Sequence, residues 1–175
     1  MRRCLLAVVL LAVVPAPASA EPGHKVLKYY VREVTPVIQS YRSVAGRADE
    51  VLSTQPSEDL EPLVEGLSDV AAQFDRLAKR WQGIKAPPGL GLKHRGMGGA
   101  FHLQARAFSL WADAWNQVAQ SGDLEILVGV NEHAAGLLHN ASYLQRRWAA
   151  SLSGALIRAY QPVPRWLRQM TTLAP

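Results

Sequence analysis

Residues 86–104, with the sequence APPGLGLKHRGMGGAFHLQ, divide the chain into two helix-forming halves. Proline removes a backbone hydrogen-bond donor and glycine lowers helix propensity, so a stretch crowded with both predicts a break in helical structure. Since long apolar repeats lie on either side, we expect a turn that folds one helical hairpin onto the other. The same stretch places Lys93, His94 and Arg95 at that turn.

Apolar residues recur at steps of three and four on both sides of the turn, which is the period of amphipathic helices. Helices are predicted over about residues 24–52, 57–84, 100–120 and 124–160, with a kink at Pro36 in the first and Ser57 as N-cap of the second. The expected fold class is all-α: an antiparallel up-down-up-down four-helix bundle over residues 21–160, followed by a C-terminal tail over 161–175.

Residues 1–20 have the three parts of an export signal. Arg2 and Arg3 give a positive start, residues 5–14 are uninterruptedly apolar, and residues 18–20 are the small residues that a signal peptidase requires. The apolar run is about half the roughly 20 residues that span a bilayer as a helix. We therefore expect a cleaved signal peptide and an exported mature chain, periplasmic or secreted, without a transmembrane segment.

The length and composition are those of a mature chain with one domain. Cys4, the only cysteine, lies in the predicted signal, so the mature chain needs neither disulfides nor thiolate ligands. Removing residues 1–20 leaves 155 of 175 residues, enough to bury a core unaided. It also removes Arg2 and Arg3, so Lys plus Arg falls from 19 to 17 against 14 acids, a net charge of +3.

Charge is unevenly distributed along the mature chain, and no acidic residue follows Glu132. In an up-down bundle the start of the first helix, the central turn and the end of the fourth helix share one pole. The cations expected at this pole are Lys25, Lys28, Arg32, Lys79, Arg80, Lys85, Lys93, Arg95, Arg158, Arg165 and Arg168. The aromatic residues expected near them are Tyr29, Tyr30, Trp81, Tyr160 and Trp166. Acidic residues collect at the opposite pole.

The helix macrodipole explains only part of this pattern. It favours acids at helix starts and cations at helix ends by about 0.3 to 1 kcal/mol each. The first helix reverses that order, beginning with Lys25 and Lys28 and ending with Asp49 and Glu50, and the third begins with Lys93. Two interpretations stay open: a surface kept for an anionic partner, and an ordinary solvated face, which is the usual meaning of a charge run.

The partner-binding hypothesis names one set of residues: Lys25, Lys28, Arg32, Lys93, His94, Arg95, Arg158, Arg165, Trp166 and Arg168. Basic and aromatic side chains together suit an anionic envelope component, whether a lipid headgroup or a polysaccharide, or an acidic protein. Nucleic acid ranks below these because the sequence contains no recognised nucleic-acid-binding module.

The alternative function is a carrier of a cofactor or small ligand, haem or metal, in the bundle interior. Met97 or His102 would hold a non-covalent haem, whereas covalent c-type haem is excluded because no Cys-x-x-Cys-His occurs. His24 and His94 could approach each other at the basic pole, but the cations there would repel a metal ion. The partner-binding hypothesis therefore predicts neither a metal nor a cofactor.

No nucleophile elbow, Walker pattern or dinucleotide fingerprint occurs, so an enzyme is not predicted. Gly96, Gly98 and Gly99 could present backbone donors to an anion, or they could let helices approach closely. The second role is the commoner one. Trp111, Trp115 and Trp148 are interpreted as core residues because they fall in the apolar stripes.

The export signal, the four helical stripes and Pro87-Pro88 ahead of His94 give the chain a resemblance to small exported bacterial four-helix-bundle proteins of unknown function. The resemblance covers the mature chain and implies an all-helical exported domain. It carries no functional residue over. The chain lacks the ligand patterns of the b-type and c-prime cytochromes, which share this architecture.

Overall fold

The computed structural model describes residues 22–54, 56 and 59–172, with the side chain of Thr172 left out. In this part of the chain the secondary structure consists of five helices: α1 His24–Ser53, α2 Glu61–Gln82, α3 Gly91–Ser121, α4 Ile126–Arg158 and α5 Arg165–Thr172. The all-helical prediction is thus confirmed for the described residues. The predicted signal peptide and the predicted N-cap Ser57 lie outside them.

Helix α1 buries the stripe that its sequence predicts. Leu27, Tyr30 and Val34 are almost fully enclosed, and the stripe continues to Val51. Helical structure continues through Pro36. Two hydroxyl groups bond backbone carbonyls around it, Thr35 Oγ1 to Val31 O at 2.6 Å and Ser40 Oγ to Pro36 O at 3.0 Å.

The central turn is short and occupies the residues between α2 and α3. Leu90 N donates to Pro87 O at 3.1 Å, and Gly89 adopts a φ of 78° that side chains of L-residues disfavour. Helix α3 then begins at Gly91, about nine residues before the predicted firm part. Glycine costs about 1 kcal/mol in a helix interior, and the burial of Met97 and Phe101 against the neighbouring helices offsets that cost.

The contacts between neighbouring long helices follow one pattern, in which residue numbers rise in one helix as they fall in the next. Between α1 and α2, Tyr41 packs near Phe74 and Val51 near Gly66. The α2–α3 pairs are Phe74 with Phe108 and Trp81 with Phe101, and the α3–α4 hydrogen bonds join Gln104 with Gln145 and Trp111 with Asn131. One contact departs from this order, since Gly96 at the start of α3 lies beside Leu144. One continuous core of buried side chains runs through all five helices.

The end of α4 is a Schellman motif with an uncommon residue in it. Gln161 N donates to Leu156 O at 2.9 Å and Tyr160 N to Ile157 O at 3.0 Å. This places Tyr160 at the position that glycine usually occupies, with a φ of 53°. A side chain in this left-handed region costs roughly 1 to 2 kcal/mol.

The predicted tail folds back as α5. Leu167 is completely enclosed and Met170 nearly so, while the ring of Trp166 stacks on that of Trp148 at 6.1 Å. Arg42 of α1 donates a hydrogen bond to Gln169. Residues 165–172 therefore belong to the same core as the four long helices.

None of the described helices combines the length and the apolar character that crossing a membrane requires.

Candidate functional site

Four aromatic rings from four different helices meet in the interior near the central turn. We call Tyr30, Trp81, His94 and Trp148 the ring cluster. Trp148 Nε1 donates to Tyr30 Oη at 3.0 Å, Tyr30 Oη lies 2.8 Å from His94 Nδ1, and Trp81 Nε1 donates to His94 O at 2.9 Å. The Trp81 ring stacks on His94 at 4.9 Å and meets Trp148 edge-on at 5.0 Å.

The polar atoms of the ring cluster assign the tautomer of His94. Trp148 Nε1 can only donate, so the Tyr30 oxygen accepts that bond, and His94 Nδ1 is left as the acceptor for the buried hydroxyl proton of Tyr30. Burial lowers the pKa of His94, and the charge of Arg95 lowers it further, while hydrogen bonding with the backbone of Trp81 and Ile84 opposes the shift. Burial likewise raises the pKa of Tyr30. The lowered pKa favours the neutral form of His94, and the bond from Tyr30 places the proton of the neutral ring on Nε2.

The ring cluster joins the start of α1, the end of α2, the start of α3 and the last third of α4. Gln161 Nε2 adds a hydrogen bond to His24 O, which links the residues after α4 to the first turn of α1. The Tyr30–His94 bond spans 64 residues of sequence and the Gln161–His24 bond spans 137. The first and last segments of the described chain thus meet beside the central turn.

The residues of the partner-binding hypothesis divide into exposed and buried members. Those exposed to solvent are Lys25, Lys28, Arg32, Arg95, Arg158, Arg165 and Arg168, and Lys93 is partly exposed. His94 lies inside the ring cluster and is only 6% exposed, so it offers little surface to a partner. Trp166 is half-buried because it stacks on Trp148. Of the aromatic residues expected at this pole, Tyr30 and Trp81 are also buried, whereas Tyr29 and Tyr160 are exposed.

Few acids accompany the exposed cations. Arg32 approaches Glu33 at 3.5 Å and lies 4.8 Å over the ring of Tyr29. Lys25, Lys28, Lys93, Arg95 and Arg165 make no ion pair with any other described residue. Moreover, neither residues 91–112 of α3 nor any residue of α4 after Glu132 is acidic.

A groove of about 370 Å³ lies between α3 and α4 on this side of the molecule. We call it the α3–α4 groove; its lining is Leu92, Lys93, Arg95, Gly96, Leu144 and Arg147. Three of these side chains are cationic and the others are apolar or glycine. The guanidinium of Arg147 lies 5.4 Å over the Tyr143 ring, which restricts where the charge can go. Sequence reasoning missed Arg147 because its place depends on the register between α3 and α4.

A second groove, of about 400 Å³, separates α2 from α3 and reaches the edge of His94. His102 borders it, with Nε2 3.0 Å from Gln82 Nε2 and Nδ1 3.6 Å from Asp75 Oδ1. The pKa of Asp75 is lowered chiefly by its hydrogen bond with Lys79, which lies 2.6 Å away, and only weakly by His102. His102 and Asp75 are thus a solvated surface pair.

The glycines of α3 have different surroundings. A Cβ on Gly98 would lie 3.2 Å from Trp81 Cδ1, so Gly98 lets α2 and α3 approach closely. A Cβ on Gly96 would make ordinary contact with Leu144, and one on Gly99 would meet nothing within 4 Å. All three lie inside α3, where backbone N–H groups bond within the helix, so the close-approach role fits them better than an anion nest.

Met97 and His102, the candidates for holding a haem, occupy different environments. Met97 is fully enclosed in the core, whereas His102 is about half exposed in the α2–α3 groove. Among the described residues no group of three or more His, Cys, Asp or Glu side chains could hold a metal ion.

Several apolar side chains stand in solvent around the exposed cations. Tyr160 is 97% exposed and Leu92 69%, and Tyr29 and Ile157 are also more than half exposed. All four belong to the segments that the ring cluster and the Gln161 bond join.

Comparison of the chain with protein-family models, with curated proteins and with solved structures finds no match.

Proposed function

We propose that this protein is an exported, non-enzymatic docking protein. Its four long helices form an up-down-up-down bundle, and one end of that bundle binds an anionic envelope component or an acidic partner. We call this the basic end; its cations are Lys25, Lys28, Arg32, Lys93, Arg95, Arg158, Arg165 and Arg168. The export step rests on the signal predicted from residues 1–20.

The observation that carries the proposal is the ring cluster. Because hydrogen bonds and ring contacts link Tyr30, Trp81, His94 and Trp148 in a closed set, the helix segments beside them are neighbours in space. Those segments carry the cations of the basic end. The falling and rising residue numbers in the helix contacts support the up-down order, since each helix would then run opposite to the next.

The distribution of charge supports an anionic partner. Like charges that gather on one surface repel one another, and a bound anion removes that cost. Helix stability does not explain the arrangement, because α1 and α3 have no acidic residue in the first turn and no basic residue in the last. The parts of α3 and α4 without acidic residues also support an anionic partner, because no nearby carboxylate competes for the cations.

The test is salt-dependent binding by the chain from Glu21 onward, which contains every described helix. Three probes represent the three partner classes: vesicles containing phosphatidylglycerol, an immobilised sulfated polysaccharide and polyglutamate. We expect the protein to bind at least one of them at low salt. Reversing Lys28, Lys93, Arg95 and Arg165 to Glu should abolish that binding, since each cation near an anionic surface contributes about 1 kcal/mol.

The matched control changes the same number of charges elsewhere. Reversal of Lys28, Lys93 and Arg165 alone is compared with reversal of Arg47, Arg76 and Arg106, which are exposed and lie outside the basic end, so the second variant should keep most of the binding. Equal loss in both triple variants would show that net charge alone governs binding. That result, or the absence of binding to all three probes, would refute a docking role for the basic end.

A further inference from the structure

The lining of the α3–α4 groove is partly cationic and partly apolar, which suits the anionic headgroup and the apolar acyl chains of a lipid. Lys93, Arg95 and Arg147 bring positive charge to its rim, and Leu92 and Leu144 give it apolar walls. Its volume of about 370 Å³ falls within the range of pockets that hold small molecules, about 300 to 1,000 Å³. No acidic residue lines it.

We propose that the α3–α4 groove binds the phosphate headgroup of an anionic phospholipid while that lipid remains in its bilayer. This inference rests on the proposed function, because it names the partner that the basic end docks to. The phosphate lies between Lys93, Arg95 and Arg147, and the glycerol and the upper acyl carbons contact Leu92 and Leu144.

The charge geometry suits a phosphate. Arginine and lysine are the side chains that recognise phosphate oxygens, and arginine does so through a planar fork of donors. Arg147 is held over the Tyr143 ring, and Lys93 and Arg95 make no ion pair with another described residue. All three charges are therefore available to an incoming anion without the rupture of an existing ion pair.

The apolar side chains select a bilayer over the other anionic partners. A polysaccharide or an acidic peptide offers little apolar surface to Leu92, whereas the boundary between headgroups and acyl chains does. Tyr29, Ile157 and Tyr160 stand in solvent on the segments that the ring cluster and the Gln161 bond join, and tyrosine favours this boundary because its ring is apolar and its hydroxyl polar. Tyr160 keeps its exposed position in a strained backbone conformation.

A substitution at Gly96 can test the α3–α4 groove independently of the rest of the basic end. Gly96 forms part of the lining, and a Cβ there would make only ordinary contact with Leu144, so a larger side chain would fill the groove without displacing the core. Gly136 lies on α4, eight residues before Leu144 and outside the groove lining, and a Cβ there meets nothing. Gly96→Leu and Gly136→Leu therefore add the same side chain and the same helix propensity, the first inside the groove and the second outside it.

The experiment measures association of the chain from Glu21 onward with vesicles of phosphatidylcholine, with and without phosphatidylglycerol. We expect binding only to the anionic vesicles, weakened about five- to tenfold by Arg147→Glu and not by the matched Arg106→Glu. Gly96→Leu should weaken it by a similar factor, whereas Gly136→Leu should leave it unchanged. Circular dichroism and thermal melting establish that each variant is folded.

The outcomes separate this inference from the proposed function. Binding to phosphatidylglycerol vesicles that Gly96→Leu and Arg147→Glu leave unchanged would overturn the groove assignment and leave docking by the basic end standing. Binding only to the polysaccharide or to polyglutamate would overturn the lipid while keeping an anionic partner. Displacement from vesicles by inorganic phosphate, at matched ionic strength, would show that a free phosphate suffices. No binding to any probe would refute both proposals.

Discussion

The indole nitrogen of Trp148 donates a hydrogen bond to the hydroxyl of Tyr30 across 118 positions of sequence. The same hydroxyl contacts His94 Nδ1, so one oxygen joins α1, α3 and α4. A buried polar atom that loses its hydrogen-bond partner lowers the free energy of unfolding. Removal of this one oxygen would leave two buried nitrogens without a partner.

Tyr30→Phe removes that oxygen and little else. Trp148 Nε1 and His94 Nδ1 would both remain buried without a partner, so the free energy of unfolding should fall by about 2 to 4 kcal/mol. Urea denaturation followed by tryptophan fluorescence measures the loss. Tyr29→Phe is the control, because the Tyr29 side chain is exposed. Equal stability of Tyr30→Phe and the parent would contradict the bonding described for the ring cluster.

Acidic pH should destabilise the protein through His94. The pKa of His94 in the folded state lies below that of the unfolded chain, about 6.5, so the unfolded state binds more protons between the two values. Stability due to the neutral ring is therefore present above about pH 6.5 and falls as the pH drops below it, by at most about 1.4 kcal/mol per pH unit.

His94→Asn provides the variant for this pH dependence. Its side-chain oxygen can accept the Tyr30 proton in the place of Nδ1, but it cannot titrate. The variant should be less stable at neutral pH, because it loses the stacking on Trp81, and its stability should vary less between pH 7 and pH 5. Urea midpoints at several pH values give the comparison. An unchanged slope would show that another group causes the acid sensitivity.

Two neighbouring glycines of α3 should respond to alanine with opposite signs. Gly99→Ala gains about 1 kcal/mol from helix propensity because its Cβ meets open space. Gly98→Ala gains the same term but presses on Trp81, whose ring is fixed by His94 and Trp148. We expect Gly98→Ala to lower the stability by about 1 kcal/mol. Thermal melts of the two variants and the parent suffice, and stabilisation by both substitutions would mean that Trp81 can move.

Tyr160→Gly should stabilise the fold. Glycine adopts the left-handed conformation of this position without strain, and the Tyr160 side chain is 97% exposed, so its removal costs few contacts. The gain should be about 0.5 to 1 kcal/mol after allowance for the greater freedom of the unfolded chain. Tyr160→Ala keeps the strain and should change little. A destabilised Tyr160→Gly would indicate that the phenol ring makes a contact that its exposure does not reveal.

The helices were predictable because their apolar residues keep a strict period. Leu27, Tyr30 and Val34 of α1, for example, are buried as their spacing of three and four requires. The early start of α3 was not predictable from propensity, since packing of Met97 and Phe101 outweighs the cost of the neighbouring glycines.

The position of His94 shows where the charge argument misread the sequence. Between Lys93 and Arg95 it looks like part of a basic run, and local charge does not reveal which side of the helix it occupies. Helical spacing would have found it, because His94, Met97 and Phe101 are separated by three and four residues and all are buried. Arg147 was missed for another reason, since its approach to Lys93 and Arg95 depends on how α3 and α4 align.

The docking of α5 decides when the core can close. Leu167 and Met170 fill space beside the long helices, so the core stays incomplete until α5 has packed against them. Until then the apolar surface that α5 covers remains exposed to water. A chain that ends before Arg165 would keep that surface exposed, which makes it a candidate for self-association.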